Sequence, residues 1–167
     1  IQLILKETTQ EVVDCTSTVQ QGYQENTKLK INSGLALAGK ARRQNLDNLI
    51  TLLLERYVNF YLLLLNEDSK DYQTRYPKFL ERIALLQTGP ENSPFYNYCL
   101  GTVRIQKAAV SIKFGKLWDA GWEFRRAFQL IKENKKQFPA FTPNDLMYGS
   151  LQAVVGTIPN GYKWIAG

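Results

Sequence analysis

The side chains that could do acid–base or nucleophilic chemistry in this chain are few and scattered. It has no histidine. That removes the usual general base, the Ser-His-Asp and Cys-His nucleophile arrangements and the commonest zinc ligand together. Cys15 and Cys99 are the two cysteines. Far apart and in unrelated helical contexts, they read as buried thiols in preference to a long-range disulfide, and two isolated thiols make no structural metal site. The carboxylate candidates are Glu67 with Asp68 in a polar turn, and Glu55 on an apolar segment, where Glu55-Arg56 reads as a rim ion pair. Gly34-x-x-x-x-Gly39-Lys40-Ala41 lacks the hydroxyl residue that a phosphate-binding loop needs after its lysine. The chain is therefore expected not to be an enzyme and to need no cofactor and no metal.

Charge is the more informative chemistry. The whole chain carries +6, and residues 95–139 hold nine basic residues against Asp119, Glu123 and Glu133, a local balance of +6. Electrostatic recognition therefore belongs on this stretch. Arg125, Arg126, Lys132, Lys135 and Lys136 are its candidate patch for nucleic acid or another anionic surface. Against that stands a solvated helix on which Asp119, Glu123 and Arg126 pair along the surface at helical spacing. Nucleic acid is the less favoured partner, because the basic residues spread around two helices: Lys107 and Lys113 stand about 240° apart at ~100° per residue. Trp118, Trp122, Arg125 and Gln129 form a further stripe, expected to lie against a neighbouring helix.

The elements that must position these residues are helical. Residues 95–139 read as two helices folded back at Phe114-Gly115-Lys116. Tyr98, Gly101, Ile105, Ala108 and Ile112 recur at steps of three and four, and so do Leu117, Ala120, Phe124, Ala127 and Ile131. Gly115 offers the positive φ that ends one helix and turns the chain. Small Ala108, Ala120 and Ala127 let the axes approach, with Phe124 expected to fill the space between them.

Before the hairpin, residues 49–65 form the most hydrophobic helix pattern, expected to be central. A helix over residues 70–87 is either kinked at Pro77 or starts afresh there. Thr88-Gly89-Pro90 is a stop, and Ser93-Pro94 a start with the serine as cap. Thr142-Pro143-Asn144-Asp145 repeats the start signal, with Asp145 placed to reach back as in a capping box. That helix is expected to end at Gly156, and a last short one contains Trp164. Weaker helical patterns run through residues 12–23 and 29–43. No alternating strand pattern is present.

Ala108, Gly115, Leu117, Ala120, Phe124 and Ala127 have a spacing that resembles the tetratricopeptide repeat (TPR). Where that family usually has Trp, Leu and Tyr on the first helix, this chain has Arg104, Lys107 and Ser111, and the family's late proline is Lys132. More loosely, residues 43–50, 93–96 and 156–164 are similar to segments of a family of uncharacterised bacterial TPR-like proteins. The resemblance implies an all-α fold, a right-handed α-α superhelix of antiparallel helix pairs. Residues 1–167 would be a single TPR-like solenoid fragment of a longer chain. It further implies a non-catalytic helical-repeat scaffold that holds a protein or peptide in a groove lined by the first helix of each pair. Carried onto this chain, the groove positions are Tyr57, Val58, Tyr61, Thr102, Ile105, Gln106, Ala109 and Lys113. The Lys, Asn and Arg set with which some members clamp a C-terminal carboxylate is missing.

Composition sets the remaining bounds. With 167 residues, 44% of them hydrophobic and 12% aromatic, the chain can bury roughly two-thirds of its unfolded surface in one core and is no disordered segment. The most apolar window, residues 49–65, is broken by Glu55, Arg56 and Asn59, so no transmembrane span is expected. No Met precedes Ile1, and residues 162–167 stop within an apolar pattern. A removed signal peptide with an exported or periplasmic setting, and a continuation past residue 167, are both compatible with this sequence.

Overall fold

A computed structural model describes residues 69–157 and 60–65, with a few single positions before them. Cys15, Glu55, Val58, Glu67, Asp68, Trp164 and most of the chain before residue 57 lie outside the described residues. Those described form five helices from residue 69 onward: α1 (Ser69–Arg75), α2 (Pro77–Leu86), α3 (Pro94–Lys113), α4 (Leu117–Gln137) and α5 (Pro143–Thr157). No strand occurs among the described residues.

Local chemistry sets the boundaries. Pro77 has no amide to donate, so the ladder breaks there and α2 restarts with the proline in its first turn. Tyr76 keeps helical angles (φ −62°, ψ −41°), and its amide still donates to the Tyr72 carbonyl at 2.9 Å. Ser93 is extended, and its hydroxyl accepts the Phe95 amide at 3.3 Å, which caps α3. At the other end Gly115 has φ +72°. The Lys116 amide donates to the Ser111 carbonyl (2.8 Å) and the Gly115 amide to the Ile112 carbonyl (3.0 Å). These two bonds are the Schellman closure, and they fix the hairpin turn.

The start of α5 differs from expectation. The Asp145 side chain turns to Lys135 at 2.7 Å instead of capping its own helix, because the end of α4 lies beside it. Gly156 does not stop α5, which continues to Thr157.

α3 lies at the centre and packs most extensively on α4. One side carries Phe95, Cys99, Val103 and Val110 into a core with Leu63 and with Phe79, Ile83 and Leu86 of α2. The side facing α4 is a seam of small residues, with Ala108, Ala120 and Ala127 all buried. Gly101 is the closest approach: a Cβ added there would lie 2.7 Å from Ile131 Cδ1. Phe124 does not fill the seam. It is only partly buried and joins Phe128, Ile131 and Leu151 on the α5 side, while Ile131 occupies the space opposite Gly101. Ile112 and Leu117, which the apolar periodicity puts on the buried faces, flank the turn and are exposed.

A polar latch closes the far end of the hairpin. Asn134 is fully buried, and its Nδ2 donates to the Pro94 carbonyl and to Asn144 Oδ1, both at 2.8 Å. Both amide hydrogens are thereby used, and the end of α4 is tied to the starts of α3 and α5.

The seam generates a prediction. Gly101→Ala gains about 1 kcal/mol of helix propensity. It also drives a methyl into Ile131, which is fully buried, and such overpacking costs about 1 to 3 kcal/mol. A net loss in chemical denaturation is expected. Adding Ile131→Val, which deletes the Cδ1 in contact, is expected to recover part of it, and a single variant more stable than the parent would show that the seam has slack.

Candidate functional site

Three polar residues, Arg104, Lys107 and Ser111, stand at helical spacing on α3 where the resemblance calls for large apolar ones. All three turn inward, and they need partners there. Arg104 Nη1 donates to Glu123 Oε2 at 2.8 Å, and Lys107 Nζ to Glu123 Oε1 at 3.0 Å. Arg126, one turn along α4, adds a third contact to Oε1 at 3.3 Å. The Glu123 side chain is 5% exposed and that of Lys107 is 9% exposed. The expectation that Glu123 pairs on a solvated surface is thus corrected. The two α3 cations draw it into the helix–helix seam, and only Arg126 of its partners lies outside. Burial by itself would push the Glu123 carboxyl up, but the hydrogen bonds and positive charge of Lys107 and Arg104 hold it below the ordinary glutamate value.

Tyr76 reaches the same cluster from the break between α1 and α2. Lys107 Nζ stands 5.5 Å from the centre of its ring, and its hydroxyl shares a hydrogen bond of 2.9 Å with Ser111 Oγ. Tyr72 stacks on Tyr76 at 4.6 Å between centroids and meets Phe114 at 4.3 Å on its other side. The Pro77 restart, the aromatic stack and the α3 polar stripe therefore converge. Between them and α4 lies an open depression of about 440 Å³, lined among the described residues by Tyr76, Lys107, Asp119, Trp122, Glu123 and Arg126.

A carboxylate held by three cations is a poor base. Cys99 is fully buried in the α3 core, and burial pushes its thiol up to about 12, so it stays protonated near neutral pH and is no nucleophile. Among the described residues no group of three or more His, Cys, Asp or Glu could hold a metal ion. No helix among them is long and apolar enough to cross a membrane.

The groove positions fall elsewhere. Thr102 and Gln106 are buried, the Thr102 hydroxyl donating to the Tyr98 carbonyl at 2.8 Å. Ile105 is partly buried against the Phe128 and Leu151 cluster, and Ala109 is partly buried. Lys113 donates to the Leu64 carbonyl. Tyr57 and Tyr61, both partly buried, stack at 6.0 Å, and Val58 lies outside the described residues.

Arg126 is held by Glu123, and Lys135 by Asp145 and over the Tyr148 ring at 5.2 Å. Arg125 is partly buried, while Lys132 and Lys136 are exposed. Trp118 and Trp122, expected to lie against a helix, are 64% and 43% exposed. The signal for the ion cluster was present in the sequence, as three polar residues on an otherwise apolar stripe. Tyr76 falls at helical spacing with Tyr72 and Phe79 on the apolar face of residues 70–87, which marks it as inward-facing without naming Lys107 or Ser111 as its partners.

Glu123→Gln is expected to cost about 3 to 5 kcal/mol, because it leaves two buried cations without a counter-charge. Its pH dependence has a definite sign. A carboxyl held low in the folded state contributes fully above the unfolded value of about 4.3, and that contribution is lost as pH falls through the lower folded value. Melting curves of parent and variant should therefore converge in acid. A gap that widened instead would show that Glu123 is not held low.

No family model, no curated protein and no solved structure matches the chain.

Proposed function

We propose that this chain is a non-catalytic helical scaffold that binds a protein or peptide partner, its antiparallel helices belonging to a TPR-like right-handed superhelix. The observation that carries the binding reading is the outer face of α4. Trp118 and Trp122 lie one turn apart there, both exposed, with exposed Leu117 beside them. Large aromatic side chains left at a surface are the anchors that dominate protein interfaces. The repeat-like reading is supported by the small-residue seam, the Gly115 turn and the antiparallel pairing of α3 with α4. The recognition surface moves, however, from the α3 positions inferred by resemblance to α4, since Thr102 and Gln106 are covered.

A nucleic-acid partner is disfavoured, because Arg126 and Lys135 already have acidic partners within the chain. The test compares two sets of changes on the full protein. A partner captured by the parent should be lost with Trp118→Ala plus Trp122→Ala at unchanged melting temperature. It should be kept when Arg125, Arg126, Lys132, Lys135 and Lys136 are neutralised. Filter binding to mixed-sequence DNA and RNA near physiological salt is expected to show no micromolar affinity. Tight, salt-sensitive binding that vanishes with the five charge changes would overturn the proposal.

A further inference from the structure

We infer that the outer face of α5 is where a second copy of this chain docks, the two α5 helices lying antiparallel across a two-fold axis. The first support is the character of the face. Leu146, Gly149, Ser150, Ala153, Gly156 and Thr157 are all exposed, and at ~100° per residue they fall within an arc of about 120° on the side away from buried Leu151. Leu146 is 79% exposed and Val154, at the edge of the arc, 46%. No residue from 146 to 157 is charged. The outer face of a surface helix is ordinarily its charged one, as on α4, where Lys132, Glu133 and Lys136 are exposed.

The second support is hydrogen bonding. The Ser150 hydroxyl donates to the Leu146 carbonyl at 2.8 Å, and the Thr157 hydroxyl to the Val154 carbonyl at 2.7 Å. Both donors are satisfied within α5, so another helix can exclude water from this face without stranding them.

The third is shape, and it selects the occupant. Among the described residues nothing lies within 4 Å of a Cβ added at Gly149 or Gly156. Glycine is, after proline, the least favourable residue inside a helix. Gly101 shows its use in this chain, where Ile131 of the neighbouring helix takes the space. On α5 the large Leu146 stands as a knob at one end of the face. Gly156 leaves a notch about 15 Å further along at ~1.5 Å per residue, with only small residues between. A two-fold axis passing between Ser150 and Ala153 lays Leu146 of each copy against Gly156 and Thr157 of the other, so the face is complementary to itself. Charge agrees. The chain carries +6, so two copies repel at a distance, and this uncharged face lets them meet without setting like charges together. An acidic or basic partner would find no counter-charge on it. The inference goes beyond the scaffold reading and does not rest on it, since neither Trp118 nor Trp122 belongs to α5.

The test is sedimentation equilibrium of the purified full chain from about 5 to 300 µM. One helix laid on another is a small interface, so a weak dimer is expected, with Kd of about 100 µM or tighter. Added salt should tighten it, because screening reduces the repulsion between two copies that each carry +6. Leu146→Glu should weaken it at least tenfold, by burying an unpaired charge in each half of the contact. Gly156→Leu fills the notch and should weaken it to a similar degree. That change also raises the helix propensity of α5, so an unchanged or higher melting temperature would show that the dimer is lost without unfolding. When chains carrying Ser150→Cys are mixed with chains carrying Ala153→Cys and oxidised, the mixed crosslinked dimer should form ahead of either self-linked one, since the two positions oppose each other across the axis. A monomer throughout the concentration range would give the face to some other occupant and overturn the proposal. Open-ended polymers, a dimer that salt dissociates, or one indifferent to both Leu146→Glu and Gly156→Leu would overturn it as well.

Discussion

The buried carboxylate of Glu123 is the constraint on which the rest of the hairpin depends. A small-residue seam such as Gly101, Ala108, Ala120 and Ala127 brings two helices close, but small side chains interlock weakly and tolerate sliding. A slip of one turn moves α4 by about 5.4 Å along α3. That would carry Glu123 out of reach of Arg104 and Lys107, which now hold it at 2.8 and 3.0 Å. Buried ion pairs add little net stability over apolar packing, yet separating one is expensive because each desolvated charge is left alone. The cluster therefore acts mainly by making every other register unfavourable.

Two further fixed points bracket it. The Schellman closure at Gly115 sets the angle at which the chain reverses, and Asn134 ties the opposite end to Pro94 and Asn144. Ion cluster, turn and latch lie at the middle and the two ends of the same helix pair. The remaining helices attach to this frame differently. α2 joins through apolar core residues, whereas the junction of α1 and α2 joins through stacked rings, Phe114 on Tyr72 on Tyr76, that lead to Lys107.

Boundaries were legible in the sequence because they are set by local chemistry. Ser93-Pro94, Gly115, Pro77 and Pro143 act through a missing donor, a fixed φ or a cap, and none needs a distant partner. The seam was legible too, since only small residues permit it. What periodicity did not give was how much of α3's circumference is covered. A pattern of threes and fours marks one apolar stripe, but α3 has neighbours on two sides, so Thr102, Gln106 and Ser111 are buried although their residue types suggest a surface. The same blindness explains Phe124, whose apolar character says nothing about whether α3 or α5 receives it. Glu123 was misplaced for the opposite reason. Its spacing from Asp119 and Arg126 fits a solvated ladder equally well, and the deciding partners lie 16 and 19 residues back on another helix.

The polar stripe of α3 and the open depression beside it are one feature. Large apolar residues at 104, 107 and 111 would pack the seam dry. Arg104 and Lys107 instead bring two cations that both hold Glu123, and Ser111 brings a hydroxyl that meets that of Tyr76. Such an arrangement gains little stability over apolar packing, yet it fixes the register of α3 and α4 and keeps their charges paired. Protonating Glu123 would undo both at once, releasing the clamp between α3 and α4 and leaving the cations of the cavity to repel one another. Because the carboxyl is held low, that point lies in acid, and through the neutral range the clamp between α3 and α4 stays closed.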